Sequence, residues 1–340
     1  MAACNVDTFS CMEALEDAWL HLGEPLETLR TWGDVPGHCQ LAEVPVPQLL
    51  DGGMVVRLLC AGGFGGDEPA QLAQGAVWEV VSVQEKTRYV PGQRIWLNPR
   101  PSCGICPACM AGCSASCLDA ARPTSFPGWM SMERVLQPWA VRRGVLPVPA
   151  TVPPAFFSWM VPLARALRIR RTVARRDRVL VVGAGIQALA VGVALEGPGS
   201  RVLLDPTGGL ASLKPQGFHR VDARLDVLLD VLPEAPDLVV VAGNSPLALQ
   251  AVAAAGWGGV VVTLGGVSAI APSQLEAKEL TWWSQHSVTL DDLHAAVTRI
   301  VEISGFLERL PREVIGVEEF SARKSLDSLW TVVEACVPSY

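Results

Sequence analysis

A short apolar run followed at once by a glycine-rich turn constrains this chain more than any other stretch. Residues 179–182 are four consecutive aliphatic residues, and the next six have the sequence G-A-G-I-Q-A. An apolar run of this length before a glycine turn is typical of a buried parallel strand. The Ala- and Val-rich stretch that extends to about Leu195 predicts a helix, and residues 202–204 predict a second strand before Asp205. The segment therefore predicts a strand–turn–helix–strand unit.

The glycine turn has the residue types that a dinucleotide requires at the end of such a strand. Gly183 permits a tight turn, Gly185 lets the backbone approach a pyrophosphate, and Ala188 is small enough for close packing of helix on strand. Ile186 and Gln187 begin the helix, where free N–H groups and the positive end of the helix dipole would meet the phosphates. We expect these five residues to bind the cofactor.

The acidic residue at the end of the second strand indicates which dinucleotide is bound. Asp205 follows Gly183 by 22 residues, a spacing at which a carboxylate accepts hydrogen bonds from ribose hydroxyls. A 2′-phosphate would be repelled there, so the sequence favours NAD(H) over NADP(H). The alternative is a strand–helix–strand unit that packs and binds nothing.

Composition excludes several classes of protein. The 340 residues carry a formal net charge of −7, which argues against a nucleic-acid surface. Residues 164–178 contain seven arginines, which we interpret as a solvated helix face rather than a cofactor contact. The first ten residues lack the pattern of a signal peptide, and glycines interrupt the longest apolar run. We therefore expect a cytoplasmic protein with no membrane or nucleic-acid partner.

Four regularly spaced cysteines predict a metal site. Cys103, Cys106, Cys109 and Cys117 form the pattern C-x2-C-x2-C-x7-C, which can surround one tetrahedral Zn²⁺ and leaves no coordination position open. Such a site is structural, and we interpret Cys113 as a bystander. The alternatives are free buried cysteines or an iron–sulfur cluster, for which no other feature argues. Ten cysteines without a secretion signal favour metal binding over disulfides.

Short strands punctuated by proline and glycine precede the dinucleotide segment and predict a small barrel-like β domain. These predicted strands are residues 41–47, 54–60, 76–83 and 94–97. Strand–helix alternation after residue 162 continues the α/β pattern, with predicted strands at 238–242 and 260–264 and predicted helices at 246–255 and 293–303. Residues 12–22 predict a further short helix.

The order of the two motifs, a cysteine lobe and then a dinucleotide fold, resembles the zinc-dependent medium-chain alcohol/polyol dehydrogenases. The resemblance extends from about residue 41 to 320, and its specific parts are the cysteine spacing and the glycine turn. It implies an α/β fold with a GroES-like β-barrel domain at 1–160, which carries a zinc lobe at 100–120. It also implies a Rossmann doubly wound parallel sheet domain at 161–300 and a return to the first domain at 301–340.

The same resemblance implies further properties. The segment Gly243-Asn244-Ser245 is similar to the family's later nucleotide-domain pattern, which implies that Gly243 contacts the cofactor. Members act on small-molecule substrates and form dimers or tetramers, so a homodimer or homotetramer is expected.

The residues that hold the catalytic zinc in this family are replaced in this chain. Phe64 stands at the position of the cysteine ligand, Gln74 and Gly75 stand at a His-Glu pair, and Val161 stands at the third ligand. Phenylalanine and valine cannot bind zinc, and glutamine is a poor ligand. Gly66 replaces the hydroxyl side chain that relays a proton in relatives. Without a Lewis acid, alcohol oxidation by the family's route should fail.

If hydride transfer survives, another group must supply the proton. Asp67 and Glu68 lie nearest to the replaced ligands and are the candidates, the alternative for each being an exposed acidic turn. His286 is a further candidate for the cleft, although such a histidine is more often structural. We interpret Cys60, the one nearby thiol, as a buried strand cysteine.

Three functional hypotheses follow. The first is an NAD(P)(H)-dependent oxidoreductase that works without catalytic zinc, as a reductase of a small-molecule carbonyl or conjugated alkene. The second is a non-catalytic scaffold or binding protein that retains the fold. The third, a conventional zinc dehydrogenase, requires a different alignment of residues 64–74.

Overall fold

The computed structural model describes most of the chain from residue 28 onwards. The described residues are 28–35, 38–45, 48–64, 75–98, 101–103, 105–111, 117, 132–173, 176–196, 199–207, 210, 218–222, 224–225, 234–243, 245–264, 272–285, 288–316, 319 and 330–335. The helix predicted at 12–22 lies outside them, as do Asp67, Glu68, Gln74 and His286.

The elements alternate as the sequence predicts. The strands are β1 (Thr28–Val35), β2 (His38–Pro45), β3 (Met54–Phe64), β4 (Val77–Val83), β5 (Arg94–Leu97), β6 (Glu133–Leu136), β7 (Val145–Pro147), β8 (Arg178–Val182), β9 (Ser200–Leu204), β10 (Arg220–Asp222), β11 (Leu238–Val241), β12 (Val260–Thr263), β13 (Thr281–Ser284), β14 (Glu313–Gly316) and β15 (Trp330–Glu334). The α-helices are α1 (Pro107–Met110), α2 (Pro138–Gly144), α3 (Met160–Thr172), α4 (Ile186–Ala194), α5 (Ala248–Ala254), α6 (Pro272–Glu276), α7 (Leu290–Glu302) and α8 (Ser304–Arg309), and a 3₁₀ helix spans Pro154–Trp159.

Six parallel strands form the sheet that the glycine turn predicts. Their spatial order is β10-β9-β8-β11-β12-β13, and every adjacent pair is parallel. The chain thus starts in the middle with β8, moves outward to β10, and then crosses to β11 on the other side. This is the strand order of the Rossmann fold, and it leaves a crevice between β8 and β11 at the carboxyl edge.

Consecutive side chains of each strand point to opposite faces of this sheet, and helices cover both faces. Val179 and Val181 of β8 face a cluster that includes buried residues of α3, α4 and α7, whereas Leu180 and Val182 face a cluster that includes α5. All four side chains are buried. The predicted doubly wound α/β fold is confirmed.

The other large sheet combines residues from both ends of the described chain. Its order is β14-β15-β3-β4-β5-β7, and β6 also pairs with β3. The strands predicted at 54–60, 76–83 and 94–97 are confirmed as β3, β4 and β5. β1 and β2 form a separate antiparallel pair, of which β2 was predicted. The C-terminal strands β14 and β15 follow the parallel sheet in sequence, so the chain returns to the first sheet.

One aromatic cluster joins the two sheets. Trp330 of β15 and Trp159 of the 3₁₀ helix are fully buried and belong to the same hydrophobic core as Val181 of the parallel sheet. Their ring centroids are 6.3 Å apart with an interplanar angle of 79°, an edge-to-face arrangement that aromatic pairs favour. The Trp330 indole donates a hydrogen bond of 3.0 Å to Ser158 Oγ, which donates to the Ala155 carbonyl at 2.7 Å.

The helix after residue 290 begins slightly earlier than predicted, for a local reason. Thr289 caps α7: its hydroxyl accepts from the Asp292 backbone N–H at 3.2 Å, and the Asp292 carboxylate accepts from the Thr289 backbone N–H at 2.8 Å. This reciprocal pair fixes the start of the helix at Leu290. Within the described residues, no helix has the length and apolar character required to cross a bilayer.

Candidate dinucleotide site and cysteine cluster

Gly183 lies where the first crossover of the parallel sheet leaves β8. Its φ is 144°, and an added Cβ would lie 2.1 Å from the Ala242 carbonyl oxygen at the end of β11. Its backbone N–H donates to the Leu204 carbonyl of β9 at 3.0 Å. Only glycine allows β8, β9 and β11 to approach so closely at this point.

Gly185 and Gly243 open the space in front of α4. Gly185 has φ of 80° and is the N-cap of α4, so no side chain caps the first helical N–H groups. Gly243 follows β11 with φ of 91°, and among the described residues no atom beyond its two chain neighbours lies within 4 Å of the position of a Cβ there. An uncapped helix N-terminus beside open space suits an anionic diphosphate. The two glycines therefore fit the cradle of a dinucleotide.

The first turn of α4 is apolar except for one residue. Ile186 and Ala188 are buried and pack in the core, and for Ala188 the sequence predicts this close packing of helix on strand. Gln187 lies between them and is half-buried. Its Oε1 atom is buried and has no hydrogen-bond partner among the described residues. The site therefore contains one buried acceptor that the protein itself does not satisfy.

Asp205 ends β9 at the predicted place, but its carboxylate is turned into its own loop. The side chain is 0% exposed. One oxygen accepts from the Thr207 backbone N–H at 3.0 Å and from the Thr207 hydroxyl at 2.7 Å, and the other accepts from the Leu210 N–H at 2.7 Å. Contact with a ribose requires at least the Thr207 hydroxyl to be displaced, which the sequence pattern could not reveal.

The four predicted cysteines come together. Their sulfur atoms all lie within 4.8 Å of one another, although Cys117 follows Cys109 by eight residues. The Cys106 backbone N–H donates to Cys103 Sγ at 3.2 Å, and the Cys103 N–H donates to Cys117 Sγ at 3.3 Å. Helix α1 carries Cys109, whose sulfur is 3.9 Å from that of Cys103. Four sulfurs at this separation can hold one tetrahedral metal ion.

The close packing of the four cysteines affects the pKa of the Cys106 thiol. The Cys109 backbone lowers the pKa of the Cys106 thiol, but the Cys103, Cys109 and Cys117 side chains and burial outweigh it and raise that pKa to about 11. A bound cation would reverse this balance, because it stabilises thiolates. Within the described part of the chain, no second cluster of His, Cys, Asp or Glu has this geometry.

Gly75 and Val161, two of the positions that the sequence predicts to replace catalytic zinc ligands, are tightly packed. A Cβ on Gly75 would lie 2.6 Å from the Gly62 carbonyl oxygen and 2.7 Å from Ser158 Cα. A Cβ on Gly62 would lie 2.2 Å from Ser158 Cβ. Val161 is buried in the first turn of α3, and Phe64 ends β3. Neither glycine can be exchanged for a metal-ligating side chain without displacing the 3₁₀ helix.

Sequence reasoning did not identify Ser158 and Trp330 as the residues that close this region. Trp330 pairs with Phe64 in the sheet, and its indole reaches Ser158 across 172 residues of sequence. The aromatic and β-branched residues of 330–334 offered a strand signal, but nothing in it identified Ser158 as the partner.

Cys60 is a buried strand cysteine, as interpreted. It lies in β3, where burial, followed by the charge of Glu334, raises the pKa of its thiol to about 12. A thiol with this pKa is protonated near neutral pH and is a poor nucleophile or metal ligand.

The arginine-rich run was interpreted as a solvated helix face, but two of its arginines form ion pairs with another helix. Arg171 of α3 lies 2.8 Å from the Asp292 carboxylate of α7, and Arg168 lies 3.6 Å from it. The Asp292 side chain is almost fully buried and also forms the cap of α7. These arginines therefore stabilise the α3–α7 contact.

Several solved dehydrogenases have this fold. An alcohol dehydrogenase from Thermotoga maritima is 15% identical, with 92% of this chain and 100% of that chain covered and a TM-score of 0.74. A short chain alcohol dehydrogenase from E. coli CFT073, solved with NADH, is 17% identical, with 91% and 100% covered and a TM-score of 0.71. A Sinorhizobium meliloti 1021 protein, solved with NADP, is also 17% identical, with 91% and 100% covered and a TM-score of 0.72.

The chain thus has the fold of these dehydrogenases over nearly its whole length, and the resemblance seen in the sequence is confirmed for the fold. No protein-family model and no curated protein sequence matches it.

The contacts of Asp205 predict a stability effect. Asp205→Asn replaces one acceptor oxygen by an NH₂ group that faces either the Thr207 donors or the Leu210 N–H. We expect the free energy of unfolding to fall by about 1–3 kcal/mol, because a buried donor loses its acceptor. Urea unfolding followed by circular dichroism measures this change.

Asp51→Asn is the control for this measurement. Asp51 pairs with Lys86 at 2.8 Å on the surface, and both side chains are exposed, so its loss should leave the free energy of unfolding nearly unchanged. Equal stability of the two variants would show that the Asp205 loop contacts do not support the fold.

Proposed function

We propose that the chain is an NAD(P)(H)-dependent oxidoreductase that reduces a small-molecule carbonyl or conjugated alkene without a catalytic zinc ion. The observation that carries this proposal is the open glycine cradle at the carboxyl edge of the parallel sheet. Gly183 makes the turn, Gly185 leaves the start of α4 uncapped, and Gly243 faces open space. The fold shared with dehydrogenases solved with NADH or NADP also supports it.

NAD(H) is the preferred cofactor in this proposal. Asp205 lies at the end of β9, where its negative charge disfavours a 2′-phosphate. Its carboxylate contacts the Thr207 hydroxyl and two backbone N–H groups. A ribose hydroxyl can take the place of the Thr207 hydroxyl by rotation of one side chain, whereas the backbone donors require movement of the loop.

Independence from catalytic zinc is supported by residue chemistry and by packing. Val161 offers no ligand atom, and Gly75 lies too close to Ser158 and Gly62 to be replaced by a ligand. When bound, the nicotinamide ring supplies or accepts a hydride. The chain must then supply a proton and hold developing negative charge by other means. We propose Asp67 and Glu68 for the proton, on the basis of their position in the sequence.

Conjugate reduction suits such a site better than alcohol oxidation. Negative charge that forms on the substrate is delocalised over several atoms, so a weak acid can complete the reaction without a Lewis acid. The alternative function is a non-catalytic scaffold, which the replaced ligands favour equally.

The first test is a fluorescence titration of the purified protein with NADH and NADPH. We expect saturable binding of NADH, weaker binding of NADPH, and loss of binding in Gly243→Trp, which fills the open space beside the turn. Gly258→Trp is the control, because this exposed glycine also has a positive φ, of 66°, and a Cβ there likewise meets no atom of the described residues within 4 Å. If neither nucleotide binds, the oxidoreductase proposal fails and the scaffold remains.

Binding without turnover would also favour the scaffold. Turnover of an enone with NADH that falls in Asp67→Asn or Glu68→Gln, with unchanged NADH affinity, would exclude it.

We further propose that the four-cysteine cluster holds one structural Zn²⁺ in a reducing, cytoplasmic environment. Metal analysis should find about one zinc ion per chain, and Cys106→Ser should lose it and melt at a lower temperature. Cys60→Ala is the control and should retain the metal. Two zinc ions per chain, one of them kept by Cys106→Ser, would instead support a conventional zinc dehydrogenase.

A homodimer or homotetramer is the proposed assembly. Strand β13 is an edge of the parallel sheet, and its Trp282 is 47% exposed, which leaves an apolar pairing edge. Light scattering should give at least twice the chain mass of 36.3 kDa, with dissociation in Trp282→Lys. Trp257→Lys alters another exposed tryptophan and is the control. A monomer at micromolar concentrations would contradict the proposal.

A further inference from the structure

Gln187 is the only polar residue in α4. The other residues of this helix, from Ile186 to Ala194, are aliphatic or glycine, and all of them are buried. The amide oxygen of Gln187 is also buried and lacks a hydrogen-bond partner among the described residues. Buried polar atoms are normally satisfied, and an unsatisfied one costs free energy that an apolar side chain would avoid. The apolar residues that pack around this helix therefore supply no partner for the amide oxygen.

The position of Gln187 supplies a reason. It is the second residue of α4, two residues after Gly185, and so belongs to the cradle proposed to hold a dinucleotide. An amide oxygen can only accept a hydrogen bond. The diphosphate also presents only acceptors, and the backbone N–H groups at the start of the helix can donate to it. If the partner of this oxygen is on the cofactor, it must therefore be a donor outside the diphosphate.

A nicotinamide dinucleotide has few donors that can lie near the start of α4. The ribose of the adenosine half is assigned to Asp205 at the end of β9 in the proposed function. The remaining half carries ribose hydroxyls and the carboxamide NH₂ group, and it extends to the other side of the diphosphate, towards β11.

We propose that Gln187 accepts a hydrogen bond from the nicotinamide riboside half of the bound cofactor and thereby positions it. This inference rests on the proposed nucleotide binding. Gln187 is then a determinant of cofactor affinity, although it contacts only the nicotinamide riboside half of the bound molecule.

Three ligands that share the adenosine diphosphate part test it. Calorimetry should compare NADH, ADP-ribose, which lacks the nicotinamide, and ADP, which lacks the whole nicotinamide riboside. Gln187→Met keeps the length of the side chain and removes the acceptor. We expect it to weaken NADH binding about tenfold, the loss of one hydrogen bond at about 1.4 kcal/mol, and to leave ADP binding unchanged. ADP-ribose locates the donor: weakened binding assigns a ribose hydroxyl, and unchanged binding assigns the carboxamide.

The control is Gln137→Met, which removes an amide whose oxygen is likewise unpartnered but which lies before α2 in the other part of the fold. Its binding of all three ligands should equal that of the wild type. The melting temperature without ligand is a separate readout, and Gln187→Met should not lower it if the amide serves the ligand rather than the fold.

The outcomes distinguish failure of the proposed function from failure of the role of Gln187. If the wild type binds neither NADH nor ADP, the proposed function fails and this inference fails with it. If the wild type binds NADH but Gln187→Met binds it equally well, or loses ADP to the same extent, only the role of Gln187 is overturned. A lower melting temperature with unchanged binding would make Gln187 a structural residue.

Discussion

The contact between Gly183 and the Ala242 carbonyl group determines the geometry of the candidate site. A side chain at residue 183 would overlap this oxygen, so β8 and β11 can lie side by side and end at the same level only because the residue is glycine. That alignment creates the crevice at the carboxyl edge of the sheet. It also directs the start of α4 towards the crevice, so the dipole of the helix and the opening beside Gly243 face the same space. One steric constraint thus places each polar feature of the cradle.

The second constraint is the shared core between the two sheets. Trp330 comes from the last described strand, whereas Trp159 and Ser158 come from the segment just before α3, and all three are buried together. Because this cluster belongs to the same core as the parallel sheet, the relative position of the sheets is fixed by packing rather than by a linker. The same cluster also restricts Gly62 and Gly75, because a Cβ on either glycine would overlap Ser158.

The sequence predicted the parts of the fold that local patterns determine. The strands β8, β9, β11 and β12, the glycine turn and the cysteine spacing are all short-range signals, and each was found where expected. Strand β13 was missed because its residues, TWWS, are largely exposed and carry no alternation. The hydrogen bonds of the Asp205 carboxylate could not be predicted from the sequence either, because their donors depend on how the next loop folds. Side-chain contacts across long sequence separations, such as Trp330 with Ser158, leave no signature in a single sequence.

The resulting combination restricts the chemistry that the molecule can perform. Under the proposed function, in which the nucleotide is bound and catalytic zinc is not, the hydride comes from the nucleotide and charge stabilisation must come from side chains. Such a site disfavours substrates that place a full negative charge on one oxygen, and it favours those that delocalise the charge. In the same proposal, the buried acceptor of Gln187 adds positional control over the nucleotide without requiring a metal.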